Sequence, residues 1–99
     1  SKKQILNSTF RIPKVEKKDY NLPTIFKKGP YRFFFYSGDN NEPAHIHVER
    51  DNKIAKFWIK PVTLAYNAGF KQHEIVKLRN IIQDNQNLIL EAWNEFFQF

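Results

Sequence analysis

The chain has 99 residues and a mass of 11.9 kDa, enough for one modest core and too little for a second domain with its own active site. It is 41% hydrophobic and 16% aromatic, with ten phenylalanines and no cysteine, so it folds around aromatic mass and excludes disulfides, thiolate metal sites and cysteine chemistry. The net charge of +6 is unevenly placed: residues 1–30 hold Lys2, Lys3, Arg11, Lys14, Lys17, Lys18, Lys27 and Lys28 against Glu16 and Asp19, which accounts for the whole excess and leaves residues 31–99 neutral.

The first expected unit is a basic N-terminal extension over residues 1–22, with Phe10, Ile12 and Val15 in partial alternation. Such an arm suits docking to nucleic acid or to an acidic partner protein, and equally a solvated terminal extension. No apolar run approaches the roughly 18 residues of a spanning helix, and no signal-peptide core follows Ser1, so the expectation is a cytoplasmic chain without membrane contact. Residues 23–99 form the single expected domain.

Pro23, Gly29 and Pro30 punctuate the end of the arm, and the aromatic run from Tyr31 to Tyr36 predicts a strand. Ser37 to Pro43 is dense in turn formers. His45 to Arg50 alternates strictly, Asp51-Asn52 predicts a tight hairpin, and the return strand runs from Lys53 to about Ile59, stopping before Pro61. Val62 to Gly69 is expected as a linker. The period then changes to 3.6: Ile75, Leu78 and Ile82 mark one helical stripe and Ile89, Ala92, Trp93, Phe96 and Phe97 a second, with a break over Asp84 to Asn87. Lys71 stands where a capping Asn or Asp would start the first helix, with Glu74 three residues on, so the capping box is incomplete. The predicted fold is α+β: a three-stranded antiparallel meander with two C-terminal helices on one face, preceded by the basic arm.

A two-residue loop at Asp51-Asn52 pairs Arg50 with Lys53, Glu49 with Ile54, Val48 with Ala55, His47 with Lys56, Ile46 with Phe57 and His45 with Trp58. Ile46, Val48, Ala55 and Phe57 then share the face the helices cover. His45, His47, Glu49, Lys56 and Trp58 share the other, which an antiparallel sheet ordinarily turns to solvent. Two of the three histidines at i, i+2 behind a loop carrying Asp39 and Glu42 mark a candidate site, and Trp58 on the wet side needs cover or a partner.

Three chemistries fit that face. The two imidazoles with Asp39 or Glu49 have the ligand types for a divalent metal. Without metal, His45 and His47 have the proton affinity for general acid and base work on RNA, with Lys56 stabilising charge on phosphate. Or the face only binds, with Trp58, Phe34 or Tyr36 stacking and Arg32, Lys56 and Lys60 meeting phosphates. His73 lies on the helical segment, away from the pair, and reads as a surface residue. Gly38 reads as a turn position of positive φ, Asp39 as a turn cap or a site residue, Trp93 as core, and Asn94 as a flank residue within reach of the loop.

The string Tyr36-Ser37-Gly38-Asp39 followed by Pro43-Ala44-His45-Ile46-His47-Val48-Glu49 resembles the signature of a small prokaryotic family, domain of unknown function 4160. The segments Pro23-Thr24-Ile25, Tyr31 to Tyr36, Ala55 to Trp58, Leu64 to Phe70 and Leu90 to Phe97 follow in the family's order, so the resemblance covers residues 23–98 and leaves the arm outside. It implies the toxin role in a type II toxin–antitoxin-like pair, with a small cognate antitoxin-like protein as partner. The matching motif residues are Tyr36, Gly38, Asp39, His45 and His47, with Trp93 and Asn94 near the C-terminus.

The sequence expectation is therefore a toxin-like domain acting as a metal-independent ribonuclease. His45 and His47 form its acid/base pair, Asp39 orients one imidazole, Lys56 bears on phosphate, and Tyr36, Trp58, Arg32 and Asn94 bind; no cofactor is required, with a divalent metal at His45 and His47 as the open variant. The rival is a non-catalytic module that binds a partner protein or nucleic acid through the arm and the His/Trp face. An aromatic strand at a sheet edge and an exposed Trp favour pairing with a second copy or with a partner chain.

Overall fold

The structure, a computed structural model, describes residues 24–97; the extension over residues 1–22 and its expected docking role lie outside them. Five strands form one antiparallel sheet in sequence order: β1 (Thr24–Lys28), β2 (Tyr31–Phe34), β3 (His45–Arg50), β4 (Lys53–Ile59) and β5 (Val62–Ala68). Two helices follow, α1 (Gln72–Asp84) and α2 (Gln86–Phe97). The α+β class holds, and the meander has five strands rather than the expected three.

The two additional strands come from segments expected as the end of the arm and as a linker. In β1, Lys28 pairs with Tyr31 across a turn in which Gly29 takes φ +57, a left-handed conformation that favours glycine. Phe26 stacks on Phe33 at 4.4 Å, with an irregular register between Thr24 and Phe26. In β5 only Val62 is buried. An edge strand of this kind is ordered by its ladder to β4 rather than by burying a face, so its sequence shows no burial period.

The central hairpin has the predicted register, from Arg50 opposite Lys53 to His45 opposite Trp58. Asp51 at φ +56 makes its turn, a conformation that aspartate tolerates better than most residues. Ile46, Val48, Ala55 and Phe57 are fully buried in one cluster with Ile75, Leu78 and Ile82 of α1 and Ile89, Ala92 and Trp93 of α2. His73 and Val76 face solvent.

Lys71 is the α1 N-cap and makes no side-chain cap bond. Glu74 completes half of the box by accepting the Lys71 backbone N–H. Its buried carboxylate also accepts the Tyr31 hydroxyl at 3.1 Å and Arg50 Nη1 at 3.2 Å, tying the helix start to β2 and β3. The break between helices falls at Asn85, whose side chain donates to the Ile81 carbonyl while its own carbonyl accepts the Ile89 N–H, so one residue closes α1 and opens α2.

The face opposite the helices is not the solvated surface that alternation predicts. His45 is 1% exposed and His47 9%. The segment between β2 and β3 folds back over the sheet there, and Phe34, paired with His47 in the β2–β3 ladder, is itself buried.

Candidate functional site

The site is built by the β2–β3 connection closing on the start of β3. A single 3-10 turn, Asp39–Asn41, is held from both sides: the Asp39 N–H donates to the Tyr36 carbonyl, and the Glu42 N–H donates to the Asp39 carbonyl. The Asp39 side chain turns inward, and its Oδ2 accepts the Tyr36 N–H at 2.8 Å. Gly38 does not have the positive φ expected of it; its φ is −95, and a Cβ there would meet nothing within 4 Å, so the backbone does not demand glycine at this position.

Because β3 alternates, His45 and His47 point the same way, toward that carboxylate. His47 Nε2 bonds Asp39 Oδ2 at 3.1 Å, and His45 Nε2 lies 3.1 Å from Oδ1. Asp39 thus engages both imidazoles, where the sequence reading gave it one. The two contacts differ in kind. His45 Nδ1 is 2.9 Å from the Pro43 carbonyl oxygen, which only accepts, so Nδ1 carries the proton. In the neutral ring Nε2 is then a buried lone pair, and in the imidazolium a second donor that pairs with Asp39 Oδ1 at 3.1 Å, although Oδ1 lies off the direction of a straight N–H bond.

Aromatic rings wall this centre. Phe34 stacks on the His47 ring at 5.5 Å, Tyr36 meets it edge-on at 4.5 Å, and Trp58 and Trp93 lie 5.6 and 5.2 Å from the His45 ring. Trp93 therefore serves two surfaces, since it also packs edge-on against Phe35 in the core. Burial among these rings pushes the Asp39 carboxyl up, but the two imidazoles and the Tyr36 N–H more than reverse this and hold it well below the usual carboxylate range.

The remaining candidates occupy the rim. Lys56 pairs with Glu42 at 2.6 Å and sits over the Trp58 ring at 4.6 Å, so its charge is engaged within the chain. The Lys56 ammonium in turn holds the exposed Glu42 carboxyl below its ordinary value. Arg32 donates through Nε to Thr24 and through Nη1 to Glu49, and lies over the Phe34 ring at 4.4 Å. Glu49, the alternative third metal ligand, is thereby committed to Arg32, and the clustered ligand set is Asp39, His45 and His47. Tyr36 is the exposed member of the wall, Trp58 is half-buried, and Asn94 is exposed on α2 without a side-chain hydrogen bond to the loop among the described residues. The sequence reading missed the Pro43 carbonyl as the partner of His45, Glu42 as the partner of Lys56, and Phe34 and Trp93 as walls. Only the first is local enough, at i−2, to be read from the chain.

Among the described residues no helix is long and apolar enough to cross a membrane. Searches of curated proteins and of solved structures returned no match. The profile of a family described as "Domain of unknown function (DUF4160)" matches residues 31–94, from the first strand of the site through the helix that carries Trp93. On that match, which spans well over half of its length, the chain belongs to the family Domain of unknown function (DUF4160).

Proposed function

We propose that this chain is the toxin component of a bacterial, cytoplasmic toxin–antitoxin-like pair and cleaves RNA at the centre formed by Asp39, His45 and His47. One observation carries the reading: a carboxylate and two imidazoles are packed together on a sheet face that the fold would more cheaply fill with aliphatic side chains, their ligand atoms all within 4.8 Å. Supporting it are the basic balance of residues 1–30 and the family resemblance, which brings with it a small cognate antitoxin-like protein as the partner.

His47 is the imidazole nearer the surface, beside exposed Tyr36, and is the one we assign to face the substrate. His45, sealed behind it, positions Asp39. A free acid–base pair would present an imidazole nitrogen outward; both Nε2 atoms here lie 3.1 Å from one carboxylate, which does not favour the metal-independent form of the reaction.

The test is growth of a bacterial culture after induced expression of the chain beside His47→Ala at matched soluble level. Arrest by the wild type alone is expected, followed by loss of RNA cleavage by orders of magnitude in the variant. Equal growth in both cultures would overturn the reading.

The rival interaction module has one observation of its own: Leu64 and Tyr66 are 43% and 57% exposed on β5, an open sheet edge suited to pairing with a partner chain or a second copy. In that case His47→Ala costs only a modest part of the affinity for the partner, because docking surfaces spread their energy over several residues.

A further inference from the structure

We infer that Asp39, His45 and His47 bind one divalent first-row transition-metal ion, through the two Nε2 atoms and the Asp39 carboxylate. This deepens the proposed function, resting on it only in taking the same centre as the functional one.

The argument starts from His45. Its Nδ1–H is committed to the Pro43 carbonyl, so in the neutral ring Nε2 presents a lone pair, wholly buried, with no well-directed hydrogen bond and Asp39 Oδ1 as its close polar neighbour. A neutral imidazole nitrogen sealed from water and left unpaired is costly, and a fold keeps one when something else takes the lone pair. The neighbouring carboxylate cannot, being an acceptor. Its position is informative all the same: Oδ1 lies 3.1 Å from Nε2 but off the ring's axis. Hydrogen-bonded partners point at each other, whereas two ligands of one ion point at the ion.

The spacing agrees. Two ligands each roughly 2.0–2.1 Å from a metal lie about 3.0–3.4 Å apart at the angles of tetrahedral or octahedral coordination. Asp39 sits 3.1 Å from Nε2 of both histidines, through Oδ1 to His45 and Oδ2 to His47, so each carboxylate–imidazole pair already has that separation; the whole set lies within 4.8 Å, and an ion would draw the two imidazoles together. The His45 Nδ1–H bond to a backbone carbonyl is also the outer support that metal-bound histidines ordinarily have: it fixes the tautomer and aims Nε2. His47 Nε2 shares its contact with Oδ2, and binding an ion requires only that its proton reside on Nδ1 instead.

Ligand chemistry narrows the ion. Two imidazoles and one carboxylate suit zinc, iron(II), cobalt or nickel rather than magnesium or calcium, which prefer all-oxygen sets. Three protein ligands leave a position for water, the arrangement of hydrolytic rather than structural sites, and Tyr36 is the exposed residue of the surrounding wall. Bound there, the ion would supply a water activated at neutral pH for phosphodiester hydrolysis, in which the water oxygen bonds to phosphorus as the P–O bond to one ribose oxygen breaks and that oxygen leaves protonated.

The test uses the purified full chain, stripped with chelator and equilibrated with zinc chloride at low-micromolar free concentration, then with cobalt(II) chloride. We expect about one ion per chain and visible cobalt d–d absorption that zinc displaces. His47→Ala and Asp39→Asn, each shown folded by circular dichroism, should weaken zinc binding by at least about tenfold. His73→Ala, exposed on α1, should bind like the wild type. No stoichiometric zinc or cobalt in the wild type, or equal binding in wild type, His47→Ala and Asp39→Asn, overturns the inference. Its failure is distinguishable from that of the ribonuclease reading: RNA cleavage that survives chelation in a chain that binds no metal refutes this inference alone, and stoichiometric metal without cleavage or growth arrest refutes the other alone.

Discussion

Asp39 concentrates the contacts of the candidate site in one side chain. It caps its own turn through the Tyr36 N–H and also spans two imidazoles, so the turn cap does not compete with contact to the histidines. Its carboxyl is held below the ordinary 3.8, so its stabilisation is fully present above that value and is lost progressively as pH falls below it. Asp39→Asn keeps the shape but removes the charge, and we expect it to cost about 2 kcal/mol of folding stability at neutral pH. The gap between wild type and variant should narrow in urea melts taken at successively lower pH below 3.8. A constant gap at every pH would show that the carboxylate is not held by these partners.

At the scale of elements, the central hairpin separates two kinds of packing. Its inner face gives Ile46, Val48, Ala55 and Phe57 to the apolar core beneath the helices, and its outer face gives His45 and His47 to a smaller aromatic box. Leu78 of α1 is fully buried in the first, and Leu78→Ala should cost about 2–5 kcal/mol, read as a lower denaturant midpoint, with metal binding retained in the folded fraction. Glu74→Gln removes the charge that Arg50 and Lys53 share at the start of α1, and should lower the melting temperature by less than Leu78→Ala does. The inner pattern was legible because burial and strand period coincide there. The outer one was not, because whether a polar face is wet depends on what a ten-residue connection does, and residues 35–44 have no period to show it.

For the whole molecule, charge and site lie in different parts. Deleting residues 1–22 removes Lys2, Lys3, Arg11, Lys14, Lys17 and Lys18 with Glu16 and Asp19, leaving the rest of the chain with a net charge of +2. If the arm docks RNA, the truncated chain binds RNA more weakly and with a shallower salt dependence, the log–log slope falling by about 0.7 for each single-strand phosphate that the arm would have neutralised. Metal loading and the effect of His47→Ala should survive the deletion. An unchanged salt slope would assign RNA binding to the folded domain instead. Among the described residues the sheet ends in two edges, β1 and β5, and β5 carries the exposed Leu64 and Tyr66, which makes it the edge where a partner strand would add.

By itself the sequence determined the α+β class, the register of the β3–β4 hairpin, the helical stripes with a break between Asp84 and Asn87, and the motif that places the chain in its family. Each of these is set by neighbours in the chain or by a single buried face, and so leaves a period or a turn residue behind. Tertiary structure alone decided that the sheet has five strands, that Lys56 and Arg32 spend their charges inside the chain, and that the histidines are sealed behind Phe34, Tyr36 and the two tryptophans. Edge strands and closed loops are specified by what they pack against. That is why the approach of His45 Nε2 to within 3.1 Å of a carboxylate contributed from six residues upstream is visible only in the folded chain.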